Sequence, residues 1–205
     1  VDVERLLSQR RSNMSFENSN DKIKYIKLNL ENINNDLENR FVDSMPFVPS
    51  DNEKRAQRCK EIFAIQASGL AKRIEHVGSN GVVVGISGGL DSTLALLVSV
   101  SAMKLLGKNN SDILGVTMPG FGTTDRTYQN AIDLMKSLGV TIKEISIKDA
   151  CVLHMKDIEH DSLVKDITYE NTQARERTQI LFDLANKHGK LLVGTGDLSE
   201  LAMGW

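Results

Sequence analysis

One stretch, residues 82–93, most constrains what this chain of 205 residues can fold into. It begins with a continuous apolar run that ends at Gly85 and Ile86, passes through the turn Ser87-Gly88-Gly89, and then starts a helical pattern with an acid and two hydroxyls. A strand that is apolar throughout is typical of a parallel sheet that helices cover on both faces. The stretch therefore predicts a buried strand, a tight turn and the start of a helix.

The same alternation continues along the chain. Apolar runs predict strands over 81–87, 113–118, 140–147 and 191–193, and helical periodicity predicts helices over 51–76, 90–106, 124–138, 150–160 and 169–188, with a further helix from 198. Strands that alternate with helices form β-α-β crossovers. The predicted fold is therefore an α/β, Rossmann-like doubly wound parallel sheet with helices on both faces.

Caps and inner faces are predicted for the longer helices. Ser50 or Asp51 is expected to cap the first long helix, and Thr123 or Thr124 the third. The apolar stripe predicted for 51–76 is Ala56, Cys59, Ile62, Phe63, Ile65, Gln66, Gly69, Leu70 and Ile74. The inner face predicted for 169–188 is Ala174, Thr178, Leu181, Phe182 and Ala185.

The first fifty residues have a different character. Residues 1–11 read as the last strand or helix of a preceding domain, and 12–39 are polar except for a weak alternation that suggests an exposed strand or hairpin arm over 23–30. Pro46 and Pro49 disfavour helix in the residues before them, which predicts an extended linker over 41–51. Both ends of the sequence look cut, so we expect a fragment of a longer protein.

Composition excludes several function classes. A net charge of −2 argues against a broad basic nucleic-acid surface, and no apolar run is long enough to cross a bilayer. Cys59 and Cys151 fit no metal-ligand spacing and suggest the reducing cytoplasm, with idle or buried thiols. We therefore expect a cytoplasmic protein without nucleic-acid or membrane partners.

The turn after the first strand has the chemistry of an anion cradle. Its glycines permit positive φ angles and close approach to a ligand, and N–H groups at a helix start carry partial positive charge. It lacks the Gly-Lys-Ser/Thr ending of a Walker loop and is not the dinucleotide fingerprint. Two roles are open for Asp91, that of a metal ligand and that of a helix cap. A carboxylate beside phosphates requires a cation, which predicts Mg²⁺, but the same residue could merely cap the helix.

Ser-Gly-Gly-x-Asp-Ser after an apolar strand resembles the pyrophosphate loop of the ATP-pyrophosphatase class, whose members cleave ATP between its α and β phosphates. That class includes synthetases for NAD, GMP, asparagine and argininosuccinate, so this motif alone does not choose among them. Residues 166–177 and 193–205 closely resemble NAD synthetases, and Gly-Thr-Gly-Asp-Leu-Ser-Glu-Leu has the form of the large glutamine-dependent enzymes. Residues 46–50 and 156–161 fit the same group.

This resemblance implies roles for particular residues. The implied ATP contacts are Gly85, Ile86, Ser87, Gly88, Gly89, Leu90, Asp91, Ser92 and Thr195. Asp91 and Glu200 match Mg²⁺ ligands, although Glu200 near a helix start is favourable even without a metal. Arg175 matches a residue that binds deamido-NAD, and Asn171 lies one helical turn earlier on the same face, so we expect it in the same pocket. No further catalytic side chain is expected.

The resemblance also implies an organisation and a reaction. Residues 1–40 would be the tail of a preceding nitrilase-like glutaminase domain and an arm, and 41–52 the linker. Residues 53–205 would be a synthetase domain of the adenine nucleotide alpha-hydrolase-like fold, expected to be truncated at its C-terminus. The implied reaction is ATP-dependent amidation of deamido-NAD through an adenylated intermediate, with ammonia from glutamine, in a homo-oligomer. Another ATP-pyrophosphatase such as GMP synthetase, or a nucleotide-binding module without turnover, stays as an alternative. The segment on its own is expected to be weakly active or inactive.

Other polar residues have simpler interpretations. Arg177 lies two residues after Arg175, on another helix face, which favours a salt bridge. His154 and His160 lack metal-ligand spacing, so solvated or capping roles are expected. Cys151 lies in an apolar helical context, which favours a core position. Residues 121–124 could flank the adenine or its ribose, or simply cap a helix.

Overall fold

The computed structural model describes residues 3–13, 24, 26, 27, 44, 45 and 47–204, with side chains from residue 5 onward. The chain divides into two units, Val1–Pro46 and Phe47–Trp205. In the first unit, helix α1 spans Val3–Ser12, so the helix is the correct one of the two predictions for the N-terminus. Most of the hairpin arm predicted over 23–30 lies outside the described residues.

The second unit contains a parallel sheet of four strands in the order β3-β2-β1-β4. The strands are β1 (Val82–Gly85), β2 (Ile113–Thr117), β3 (Thr141–Glu144) and β4 (Leu191–Val193). The central strand β1 pairs with β2 on one side, Val84 facing Gly115, and with β4 on the other, Val84 facing Val193. The carboxyl ends of β1, β2 and β4 therefore meet along one edge.

Helices connect and cover these strands. They are α2 (Asn52–His76), α3 (Leu90–Leu105), α4 (Asp125–Leu138), α5 (Lys148–Asp157), α6 (Ile167–His188) and α7 (Leu198–Ala202). Asp51 caps α2 by accepting from the Lys54 N–H at 2.8 Å, and Thr124 caps α4. These contacts decide the two capping alternatives that the sequence left open. Among the residues described, no helix is long and apolar enough to span a membrane.

Two apolar clusters lie on opposite faces of the sheet. On one face Val82 and Val84 pack with α2, α3 and α4 through residues such as Ile74, Leu96 and Met135. On the other face Val83 packs with β2 residues and with α5 and α6. Because alternate residues of one strand enter different clusters, β1 is buried on both sides. The predicted doubly wound α/β fold is confirmed.

The inner face predicted for α6 is confirmed for Ala185, which is buried, and for Leu181, which packs against the core, but it is wrong for the other three residues. Ala174, Thr178 and Phe182 are exposed, Phe182 to 55%. Besides Ala185, the buried residues of this helix are Tyr169, Thr172, Gln173 and Leu184, which the pattern did not predict. Gln173 is buried because its amide has hydrogen-bond partners, which a pattern of apolar residues does not reveal.

The apolar stripe of α2 is also only partly internal. The core reaches Ala67, Ala71 and Ile74, whereas Ile62 and Ile65 are 49% and 71% exposed. The third strand was predicted over 140–147 but spans only Thr141–Glu144, because its pairing with β2 ends at Glu144. Ile147, beyond the end of the strand, is still fully buried.

Candidate functional site

The turn after β1 is held by its own serines. The Ser87 and Ser92 hydroxyl oxygens are 3.1 Å apart, and the Ser92 hydroxyl donates to the Gly89 carbonyl at 3.1 Å. The Ser87 backbone N–H donates to the Ser92 hydroxyl at 3.3 Å, and the Gly89 N–H donates to the Ser87 hydroxyl at 3.2 Å. The two hydroxyls thus join the end of the strand to the first turn of α3.

The start of α3 is open to a ligand. Its first intrahelical bond runs from the Thr93 N–H to the Gly89 carbonyl at 3.1 Å. The N–H groups of Leu90, Asp91 and Ser92 therefore have no acceptor within the helix. The N-cap residue is Gly89, which has no side chain that could cover them. The positive end of the helix dipole is thus available to an anion.

Gly88 fixes the turn against a neighbouring helix. Its φ angle is +84°, and a Cβ atom there would lie 2.1 Å from the Thr127 carbonyl oxygen in the first turn of α4. Real Cβ atoms do not approach an oxygen that closely, so only glycine fits. The turn is consequently positioned by α4 as well as by β1 and α3.

A second loop follows β4, which lies beside β1. The Asp197 carboxylate accepts from the Glu200 N–H at 2.8 Å, and the Glu200 carboxylate accepts from the Asp197 N–H at 3.0 Å, which forms a capping box at α7. Thr195, in this loop, and Gly85, at the end of β1, line one cavity of about 330 Å³. Its other lining residues are Thr178, Leu181, Phe182, Leu192, Val193 and Gly194.

Two carboxylates could contribute to a metal site. Asp91 is exposed in the first turn of α3, and its carboxylate makes no hydrogen bond to any described residue. Glu200 uses one carboxylate oxygen in the capping box, which leaves the other free. The described residues contain no group of three His, Cys, Asp or Glu side chains that could hold a metal by themselves. Either carboxylate could be a ligand of Mg²⁺, which binds through one or two carboxylates together with phosphate oxygens.

The residues expected to bind the dinucleotide lie on α6. Arg175 is exposed, and Asn171 is half-buried one helical turn before it. No hydrogen bond links either side chain to the turn of residues 87–92, here called the serine turn, or to the loop after β4. The structure brings Thr195 to the end of β1, whereas Asn171 and Arg175 lie on a neighbouring helix.

The sequence did not predict a cluster around the loop after β2. The Phe121 N–H donates to the Gln173 side-chain oxygen at 3.1 Å, and the Phe121 and Tyr169 rings lie 5.5 Å apart. Arg177, for which we expected a salt bridge, instead donates from Nε to the Met118 carbonyl at 3.3 Å. Burial lowers the pKa of Arg177. The sequence carried one signal for this cluster: Gln173 lies four residues after Tyr169, and therefore on the same side of the helix.

Three simpler predictions have clear outcomes. Cys151 is buried as expected, and burial, helped by the charge of Glu176, raises the pKa of its thiol. His160 contacts the N-cap carboxylate of α6, Asp166, at 3.0 Å. In the loop at 121–124, the capping role is observed for Thr124.

Comparison with known proteins identifies related sequences. Residues 62–205 match the family described as NAD synthase. A glutamine-dependent NAD(+) synthetase from Mycobacterium leprae is 49% identical over 170 residues, which are 81% of this chain and 25% of that protein. An NH(3)-dependent NAD(+) synthetase from Pyrobaculum aerophilum is 36% identical, over 66% of this chain and 49% of that protein. The chain thus spans about a quarter of the glutamine-dependent relative's length.

A solved structure resembles the fold. The glutamine-dependent NAD+ synthetase from Acinetobacter baumannii, determined in complex with ADP, superposes with a TM-score of 0.64 and 32% sequence identity. The similarity covers 70% of this chain and 27% of that chain.

Proposed function

The chain belongs to the NAD synthase family, and on this basis we propose that the protein carrying it makes NAD by ATP-dependent amidation of deamido-NAD. The observation that carries the proposal is the serine turn. Its hydroxyls, the open N-terminus of α3 and the close-packed Gly88 form an anion site at the carboxyl edge of a parallel sheet. Glutamine as the ammonia source rests on the similarity to glutamine-dependent relatives.

The proposed reaction has two steps. A carboxylate oxygen of the nicotinate attacks the α phosphorus of ATP, the bond between the α and β phosphates breaks, and pyrophosphate leaves. Ammonia then attacks the activated carbonyl carbon, loses a proton and expels AMP. Neither step requires a strong acid or base from the protein, because pyrophosphate and AMP are stable leaving groups. The main requirement is stabilisation of negative charge.

Different residues of the site would bind the different parts of the substrates. We propose that the turn from Gly85 to Ser92 holds the leaving pyrophosphate through free N–H groups and hydroxyls, and that Thr195 contacts ATP from the other side of β1. Asp91 and Glu200 would hold Mg²⁺, which when bound supplies positive charge to the phosphates. Asn171 and Arg175 would bind the acidic dinucleotide, because the exposed guanidinium can pair with its phosphate or carboxylate.

The proposed organisation assigns residues 53–205 to the synthetase domain, 41–52 to a linker, and 1–40 to the tail of a glutaminase domain and an arm. The division of the chain into units at Pro46 and Phe47 falls inside that linker and supports it. We also propose a homo-oligomer, which light scattering coupled to size-exclusion chromatography measures directly.

The test is a product assay on the protein that carries this chain. Incubation with ATP, Mg²⁺, deamido-NAD and either glutamine or ammonium should yield NAD and AMP in equal amounts. Xanthosine monophosphate in place of deamido-NAD should yield no AMP. The proposal is wrong if AMP forms only with xanthosine monophosphate, which would indicate a GMP synthetase, or if ATP binds without turnover or any dependence on Mg²⁺.

The 205-residue chain assayed alone gives a second test. We expect it to bind ATP but to form NAD weakly or not at all, and to be unable to use glutamine. If the chain alone converted deamido-NAD to NAD with glutamine at a rate near that of the longer protein, the proposed assignment of glutamine hydrolysis to another domain would be contradicted.

A further inference from the structure

We propose that Gln173 and Arg177 are positioning residues that fix the β2–α4 loop, residues 118–124, to α6 and thereby keep the serine turn in place for ATP. This inference rests on the proposed function for its ligand, but its structural part does not. The two residues lie on the side of α6 turned toward the sheet, whereas Asn171 and Arg175 lie on other faces. One helix therefore serves the loop with one face and the dinucleotide with another.

Gln173 holds the middle of the loop. Its side-chain oxygen accepts from the Phe121 N–H at 3.1 Å, and its side-chain nitrogen donates to the Tyr169 carbonyl at 3.2 Å. Only 4% of Gln173 is exposed, so water cannot readily replace either partner. The contact between the Phe121 and Tyr169 rings adds apolar packing at the same point.

Arg177 holds the beginning of the loop, one helical turn further along α6. Its Nε donates to the Met118 carbonyl at 3.3 Å, directly after β2. Arg177 is half-buried, and no carboxylate of the described residues lies within 4.0 Å of its guanidinium. A charged donor paired with a backbone carbonyl in this setting is suited to fixing the chain at that point.

Gly120 shows how closely the loop meets α6. A Cβ atom at this position would lie 2.6 Å from the Gln173 side-chain oxygen and 2.7 Å from a terminal nitrogen of Arg177. The loop backbone therefore lies directly against both polar side chains. Few loop conformations bring the backbone this close to two side chains without steric overlap. Gly120, Gln173 and Arg177 therefore specify one loop conformation together.

The loop continues into the helix that supports the serine turn. The Gly120 N–H donates to the Thr123 hydroxyl at 2.9 Å, and the next residue, Thr124, caps α4 by accepting from the Thr127 N–H at 3.3 Å. The Thr127 carbonyl is the atom against which Gly88 packs. A continuous series of contacts between side chains and backbone thus runs from α6 through the loop and the first turn of α4 to the serine turn.

The consequence concerns ATP rather than the dinucleotide. If the loop comes away from α6, the start of α4 and the turn at Gly88 lose a support, while α6 itself keeps its N-cap and its core contacts through Leu184 and Ala185. Removal of the side chains should therefore weaken ATP binding and leave binding of deamido-NAD nearly unchanged.

The test uses Gln173→Met, which keeps the length of the side chain and removes its polar atoms, and Arg177→Met. Gln179→Met is the matched control, because Gln179 lies on the same helix and is exposed. Three quantities are measured without turnover on the protein that carries this chain: hydrogen exchange at the Phe121 amide, the dissociation constant for ATP with Mg²⁺, and the dissociation constant for deamido-NAD.

We expect faster exchange at Phe121 and weaker ATP binding, each by roughly two- to tenfold per hydrogen bond removed, in both variants and not in the control. The dissociation constant for deamido-NAD should change by less than about twofold, which is within ordinary variation for a residue outside its site. Unchanged exchange, an equal loss of both ligands, or unfolding of both variants would overturn the inference. If the wild-type protein that carries this chain makes no NAD from ATP, deamido-NAD and ammonium, the proposed function fails, and the exchange result still decides the role of Gln173.

Discussion

Among substitutions that add one methyl group to the serine turn, Gly88→Ala should cost the most unfolding free energy. Two costs arise at once. Alanine at a φ angle of +84° is disfavoured by about 1–2 kcal/mol. Its Cβ atom would also lie 2.1 Å from the Thr127 carbonyl oxygen, so one of the two backbones must move by about 1 Å. Overpacking of this kind costs about 1–3 kcal/mol.

The expected loss of unfolding free energy for Gly88→Ala is therefore roughly 2–5 kcal/mol, the sum of the strain and the overlap. Where the fold survives, each displaced N–H group should lose a hydrogen bond to a charged phosphate, which is about 1.5–3 kcal/mol, so ATP binding should weaken by about 10- to 100-fold. Urea unfolding measures the first quantity, and isothermal titration with ATP and Mg²⁺ measures the second.

Gly69→Ala is the control for this experiment. Gly69 lies within α2, and a Cβ atom there has open space. Alanine favours a helix by about 1 kcal/mol over glycine, so this variant should be slightly more stable and bind ATP like wild type. Our reasoning about the turn is refuted if Gly88→Ala unfolds at the wild-type urea concentration and binds ATP within twofold of wild type.

Three further outcomes are expected. Asp91→Asn should weaken ATP binding by about tenfold or more in Mg²⁺ but little in EDTA, because the carboxylate acts through the cation; an equal loss in both would contradict this. The Tyr169 N–H and then His160 hold the pKa of Asp166 below its ordinary value, so its contribution to stability is present above about pH 4 and is lost as the pH falls further. Asp166→Asn should therefore flatten the acid limb of the melting temperature against pH. A thiol reagent should label exposed Cys59 in the native protein and buried Cys151 only on unfolding, since burial raises its pKa; simultaneous labelling would be inconsistent with the core.

Local signals in the sequence were sufficient for the elements and their order. The apolar run at β1 and the caps at Asp51 and Thr124 each act over a few residues, and each is found at a predicted position. The alternation of strands and helices then gave the doubly wound class, because parallel strands need crossover connections.

The faces of the helices were harder to predict. In α6 three residues predicted to face inward, Ala174, Thr178 and Phe182, lie outside the core, while Gln173 is buried. A polar residue can lie in the core when its partners lie elsewhere in the chain, and Phe121 is 52 residues from Gln173. Periodicity within one helix carries no information about such a partner.

The candidate site shows the same limit. The serine turn could be predicted from twelve consecutive residues, since its hydrogen bonds are local. The support that Gly88 receives from α4, and the attachment of the β2–α4 loop to α6, depend on contacts between distant segments. Those contacts follow from the assembled sheet and have no counterpart in a local pattern.

The position of β4 has a consequence for how the protein folds. β4 closes the sheet against β1, and the Leu191 N–H donates to the Ser79 hydroxyl across 112 residues of chain, whereas β2 follows β1 after a single crossover. Contacts between distant residues form late, because the loop between them must be closed first. We expect the side of the site that contains Thr195 to assemble last. A chain emerging from the ribosome would therefore fold its serine turn long before it could hold a nucleotide on both sides.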